Sequence, residues 1–167
     1  MSKINSHNEW DTLKECIVGT AKNTHATFTW TNNKEIDPKK FEEAIQITDD
    51  ASPSWFYDEV TEDLDNLAKT LENLSVKVYR PNVFDFKNVY KTPFWASTSN
   101  NAYNVRDLNL VVGNNVIESP SYLSSRYYET TCLYDIWYNE YFESGFKWIA
   151  GPKPKLNYNA KIPYFRD

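Results

Sequence analysis

The chain has 167 residues, enough for one domain with its own core, and 41% hydrophobic with 25% charged residues tells against a disordered chain. A net charge of −5 and scattered lysines give no electrostatic reason for nucleic-acid or anionic-membrane binding. With 4 glycines and no G-x-G-x-x-G or G-x-x-x-x-G-K-[ST] string, a glycine-rich phosphate loop is not expected.

The start, Met1-Ser2-Lys3-Ile4-Asn5-Ser6, lacks the apolar core of a signal peptide, and no apolar run approaches a membrane span. Two cysteines, Cys16 and Cys132, are too few for a disulfide framework. These features predict a soluble, cytoplasmic protein with no membrane partner. The sequon Asn73-Leu74-Ser75 is then expected to carry no glycan.

Glu15-Cys16-Ile17-Val18-Gly19 is short, apolar and β-branched, and predicts a buried strand. From Thr20 to Trp55 no clean period holds, apart from a possible helix over 38–47 with Pro38 in its first turn. Such an excursion reads equally as a binding lid or a surface insertion.

Asp58 to Leu74 is the clearest helix, with Val60, Leu64, Leu67, Leu71 and Leu74 at helical spacing on one face. Asp58, Glu59, Glu62 and Asp63 crowd its expected first turns, where negative charge suits the helix dipole. Val76-Lys77-Val78-Tyr79 alternates as a strand does, and Pro81 stops it.

A hairpin follows, with Leu108 to Val112 and Val116-Ile117 flanking Gly113-Asn114-Asn115. Ser125 to Ser144 predicts a second helix, with Cys132, Leu133, Ile136, Trp137 and Tyr141 as its apolar stripe and Gly145 as its cap. Phe146 to Ala150 returns as a strand, and the tail 151–167, with Pro152, Pro154 and Pro163, reads as extended chain. Helices alternate with strands, so the class is α/β. A helix followed by a short strand and a proline occurs twice, ending at Pro81 and at Pro152, which suggests a weak internal repeat.

Several strings, taken in order, resemble the glycine and inosamine-phosphate amidinotransferases. They are Asn8-Glu9-Trp10-Asp11 with Leu13 and Ile17-Val18-Gly19, then Val78-Tyr79-Arg80-Pro81, Tyr90-Lys91-Thr92-Pro93, Ser97-Thr98 and Arg106-Asp107. Val116-Ile117-Glu118-Ser119-Pro120, Ser125-Arg126-Tyr127-Tyr128-Glu129, Lys147-Trp148 and Pro152-Lys153-Pro154 complete the series across nearly the whole chain. Val105 stands where the family usually has proline, Ser119 where it has alanine, and Thr20 to Trp55 matches poorly.

The resemblance implies a partial α/β propeller, pentein-like and built of ββαβ modules, of which residues 1–167 form the first, N-terminal modules. It also implies transfer of an amidino group from L-arginine to a small primary amine, glycine-like or an aminocyclitol. That chemistry needs paired carboxylates to hold a flat cation, a thiolate to attack its carbon, and a histidine to move protons. A dry pocket protects the intermediate from water.

By resemblance, Asp107 is the candidate substrate-binding carboxylate, although an Asp at a strand flank also serves as a backbone cap. Arg106 is the candidate to hold Asp107 or its loop, with a solvated surface arginine as the other reading. The family's cysteine, histidine and second carboxylate belong to segments beyond residue 167, so no catalytic residue is expected here.

Cys16 in a strand and Cys132 on an apolar helix face are poor nucleophiles, and His7 and His25 form no base pattern. Metal spacing is absent, and no cofactor is expected. Glu118 and Glu129 flank Arg126 as structural partners. The expected partners are arginine, an amine acceptor, and either a complementing C-terminal segment or a second copy. Two other functions stay open: a non-catalytic assembly module, and part of a guanidine-modifying hydrolase.

Overall fold

The computed structural model describes residues 4–25, 54–93, 96–121 and 123–151. The helix expected over 38–47 and nearly all of the tail lie outside the described residues.

A first parallel pair joins β1 (Glu15–Ile17) to β2 (Lys77–Tyr79), with Cys16 opposite Val78. Parallel neighbours need a crossover, and α1 (Ser54–Asn73) lies within it. The chain then makes a short antiparallel pair of β3 (Tyr90–Lys91) and β4 (Ala96–Ser97). A three-stranded sheet follows, ordered β5 (Asn109–Val112), β6 (Asn115–Glu118), β7 (Lys147–Ile149). β5 and β6 are an antiparallel hairpin, whereas β6 and β7 run parallel across a helical crossover. The class is α/β, and the repeat has a topological basis. In both halves a helical segment returns the chain to a strand parallel to an earlier one.

The hairpin turn is Gly113-Asn114, with Asn115 already paired to Val112. Gly113 takes φ 57°, which favours glycine at this first turn position. Ser6 bonds the Gly113 backbone in both directions and ties the N-terminal segment to this turn.

β1 is shorter and less buried than expected. Glu15 is exposed, Cys16 and Ile17 are half-buried, and full burial arrives at Val18 and Gly19. Among the described residues its ladder has one neighbour, β2, so one edge of the strand is uncovered by sheet.

α1 begins at Ser54, four residues before the expected start. Asp58, Glu59, Glu62 and Asp63 therefore fall beyond the first turn, where the dipole's effect has faded. The inward face is also rotated. It runs through Tyr57, Thr61, Leu64, Ala68 and Leu71, while Leu67 and Leu74 are exposed. The helix ends in a double-bonded cap. Val76 N–H donates to the Leu71 carbonyl at 3.0 Å and Ser75 N–H to that of Glu72 at 2.8 Å. Ser75 sits at the left-handed position with φ 64°.

The helix expected from Ser125 to Ser144 is a relay of short turns. Two 3-10 turns (Ser124–Arg126 and Glu129–Leu133) lead to α2 (Tyr134–Ile136). A π turn (Trp137–Tyr141) and a last 3-10 turn (Phe142–Ser144) follow. Thr130, Thr131, Ile136 and the aromatics have weak helix propensity, so packing decides the local winding. The expected stripe holds: Cys132, Leu133, Ile136, Trp137 and Tyr141 are all buried, and Gly145 caps the segment at φ 73°.

Ile4, Val116, Leu133, Ile136, Trp137 and Tyr141 form the main core. Ile17, Tyr79, Val105 and Trp148 pack against it, so both parallel pairs share one interior. Phe86, Ala102 and Cys132 form a second cluster.

Candidate functional site

Asp107 ends a one-turn 3-10 segment (Val105–Asp107), closed by its own N–H on the Asn104 carbonyl at 3.1 Å. Val105 anchors that turn against the main core. Side chains at successive positions of so tight a turn diverge. Arg106 points into solvent with its side chain 90% exposed, 3.6 Å from the equally exposed Glu9. Asp107 keeps about half its side chain in water and accepts a hydrogen bond from Arg126 Nη1 at 2.7 Å.

Arg126 is held from the other side. Its Nε donates to Glu129 Oε2 at 2.6 Å and its Nη2 to Glu129 Oε1 at 2.9 Å, a two-bond fork. Nη2 also donates to the Asn104 carbonyl at 3.2 Å. Glu129 is buried and Arg126 nearly so. Burial opposes the Arg126 charge, but Glu129 and Asp107 together hold the guanidinium above its ordinary range. Burial pushes the Glu129 carboxyl up, against the pull of Arg126. Two carboxylates face one guanidinium here, so the cluster carries one negative charge in excess, and its exposed end is Asp107.

The structural pairing expected around Arg126 is present for Glu129. Glu118 does other work, accepting from Trp148 Nε1 at 2.8 Å while buried at the end of β6. The arginine bonded to Asp107 is thus Arg126, which lies 19 positions away in sequence. An Arg-x-x-Glu spacing was the visible half of this arrangement. That it sits under Asp107 comes from the fold.

A run of small polar residues, Ser97, Thr98 and Ser99, is also buried, and the Thr98 and Ser99 hydroxyls have no hydrogen-bond partner among the described residues. Among the described residues no cluster of His, Cys, Asp and Glu is arranged to hold a metal ion. Among them, too, no helix is long and apolar enough to cross a membrane.

Comparison with known proteins finds amidinotransferases along nearly the whole chain. The inosamine-phosphate amidinotransferase 1 of Streptomyces griseus is 37% identical over 167 residues, covering 98% of this chain and 47% of the relative. This chain's homologues are amidinotransferases. The L-arginine:L-lysine amidinotransferase of Pseudomonas savastanoi pv. phaseolicola is also 37% identical, over 93% of this chain and 43% of its own length. A solved structure of the inosamine-phosphate amidinotransferase from Streptomyces griseus superposes with a TM-score of 0.80 at 36% identity, covering 98% of this chain and 48% of that one. No family model matches the chain. The chain spans about half the length of the curated relatives it matches, a share consistent with the N-terminal portion of an amidinotransferase.

Neither cysteine of the described residues is prepared as a nucleophile. Cys132 is buried in the second cluster, where burial and then the Glu129 charge push its thiol up to about 12. Cys16 is half-buried, and burial pushes its thiol up as well. Both environments disfavour the thiolate that attack on a guanidinium carbon requires.

Proposed function

We propose that this chain forms the first part of an amidinotransferase site, in which Asp107 holds the guanidinium of L-arginine while its amidino group passes to a small primary amine. One observation carries the reading. Asp107 presents a half-exposed carboxylate on a cluster with one negative charge to spare. A guanidinium is flat and permanently charged, and a fixed carboxylate is its natural counterpart. Arg106, exposed on the same turn, is the candidate for the carboxylate of an amino-acid substrate.

In this reading the β5-β6-helix-β7 unit is one ββαβ module of a pentein-like α/β propeller, working in the cytoplasm without a cofactor. The nucleophilic cysteine, the proton-moving histidine and the second carboxylate come from residues other than Cys16, Cys132, His7 and His25. One feature supports a partner that supplies them. Leu110, Ile117 and Ile149 stand in one row across the three strands, and Leu110 and Ile149 are about half exposed. That row fits a complementing C-terminal segment, with a second copy as the other occupant.

The test combines the chain with the remaining half of a relative's fold. Ornithine release from L-arginine, matched by amidination of an added amine such as glycine or lysine, supports the reading, and Asp107→Asn should abolish it. Transfer that survives Asp107→Asn contradicts it. Citrulline in place of an amidinated amine moves the chain to the guanidine hydrolases.

A further inference from the structure

We propose that Arg126 is a positioning residue: clamped by Glu129, it fixes the orientation in which Asp107 meets a guanidinium ligand. This rests on the reading of Asp107 given above. A lone aspartate on a surface turn samples several orientations, and a ligand that needs one of them must freeze the others. Here the freezing is built in. Asp107 Oδ2 is bonded to Arg126 at 2.7 Å, and Arg126 is itself fixed by the two Glu129 bonds and by the Asn104 carbonyl of the same turn.

The clamp is built from the inside outward. The side chain of Glu129 is 4% exposed, that of Arg126 15% and that of Asp107 52%. Glu129 alone balances the Arg126 charge, so a purely structural arginine would have no need of Asp107. A lysine could not reproduce the arrangement, because it lacks the planar fork that serves Glu129, Asn104 and Asp107 together.

The experiment uses the full chain and NMR. The side-chain couplings of Asp107 report its rotamer, and titration with L-arginine against uncharged L-citrulline reports guanidinium binding. In the unsubstituted protein Asp107 should occupy a single rotamer. In Arg126→Lys it should average over rotamers, and arginine binding should weaken by about three- to tenfold with the amide fingerprint preserved.

Averaged Asp107 rotamers in the unsubstituted protein overturn the proposal, with no variant needed. So does Arg126→Lys with an ordered Asp107 and undiminished arginine binding. If Arg126→Lys does not fold, Glu129→Gln loosens the same clamp and should give the same pair of changes; an ordered Asp107 and undiminished binding there are equally fatal. Equal binding of arginine and citrulline by the unsubstituted chain defeats the guanidinium reading itself, and the rotamer comparison still judges Arg126.

Discussion

Gly19→Ala should destabilise the fold and disturb the Asp107 turn together. A Cβ at Gly19 would lie 2.1 Å from the Tyr103 carbonyl oxygen and 2.5 Å from its carbonyl carbon and Cα. All three are backbone atoms, so no side-chain rotation relieves the clash, and the two segments must part by roughly 1 Å. They are pinned on both sides. Val18 N–H donates to the Tyr79 carbonyl at 3.0 Å, and Thr20 N–H to that of Ala102 at 3.1 Å. Overpacking costs about 1–3 kcal/mol, and losing the Thr20 bond adds about 1 kcal/mol, so a loss of about 2–4 kcal/mol is expected. Urea unfolding followed by tryptophan fluorescence measures it, and the denaturant slope should stay unchanged. Tyr103 directly precedes the turn of Asn104 to Asp107, so arginine binding should fall as well. A variant within about 0.5 kcal/mol of the parent would refute the steric argument.

Ser75→Gly should stabilise the protein by about 1 kcal/mol, because a left-handed residue with a Cβ carries that strain and glycine does not; the same urea titration reads it. A thiol reagent at mildly alkaline pH should modify Cys16 and leave Cys132 untouched until denaturant is added, and mass spectrometry of the labelled peptides separates the two. Burial is the leading cause that holds Tyr79, Tyr103, Tyr127, Tyr134 and Tyr141 above the ordinary phenol value of 10.0. A phenol whose folded value is raised stabilises the fold fully below its unfolded value and loses that contribution as pH rises through the folded one. Unfolding above pH 10 should therefore release tyrosinate cooperatively, in step with loss of circular dichroism; smooth ionisation of an intact fold would contradict it.

The elements with strong local rules were legible in the sequence. The Gly113-Asn114 turn, the Gly145 cap and the Cys132-to-Tyr141 stripe each follow from one residue type in one position. Where tertiary packing decided, the sequence said less. Leu67 and Leu74 shared a helical spacing with Leu64 and Leu71 yet face water, because the contact face of α1 runs through Ala68 and Thr61. β3 and β4 are two residues each, too short for any alternation to be seen. The π turn answers to the packing of Trp137 and Tyr141, whose rings lie 5.9 Å apart, and no local propensity announces it. At the site, resemblance points to Asp107, and Glu118 and Glu129 both read in the sequence as structural partners of Arg126, of which Glu129 is one. The union of Asp107 with Arg126 needed the fold, which brings two segments together across the hairpin.

The most direct measurement is an amide NMR titration of the chain with L-arginine, using L-citrulline as the neutral control. Resonances of Asn104 through Leu108 and the Arg126 side chain should shift in a saturable way with arginine and stay still with citrulline. Shifts that lie elsewhere, or that persist undiminished in Asp107→Asn, would contradict the claim that this carboxylate receives a flat cation.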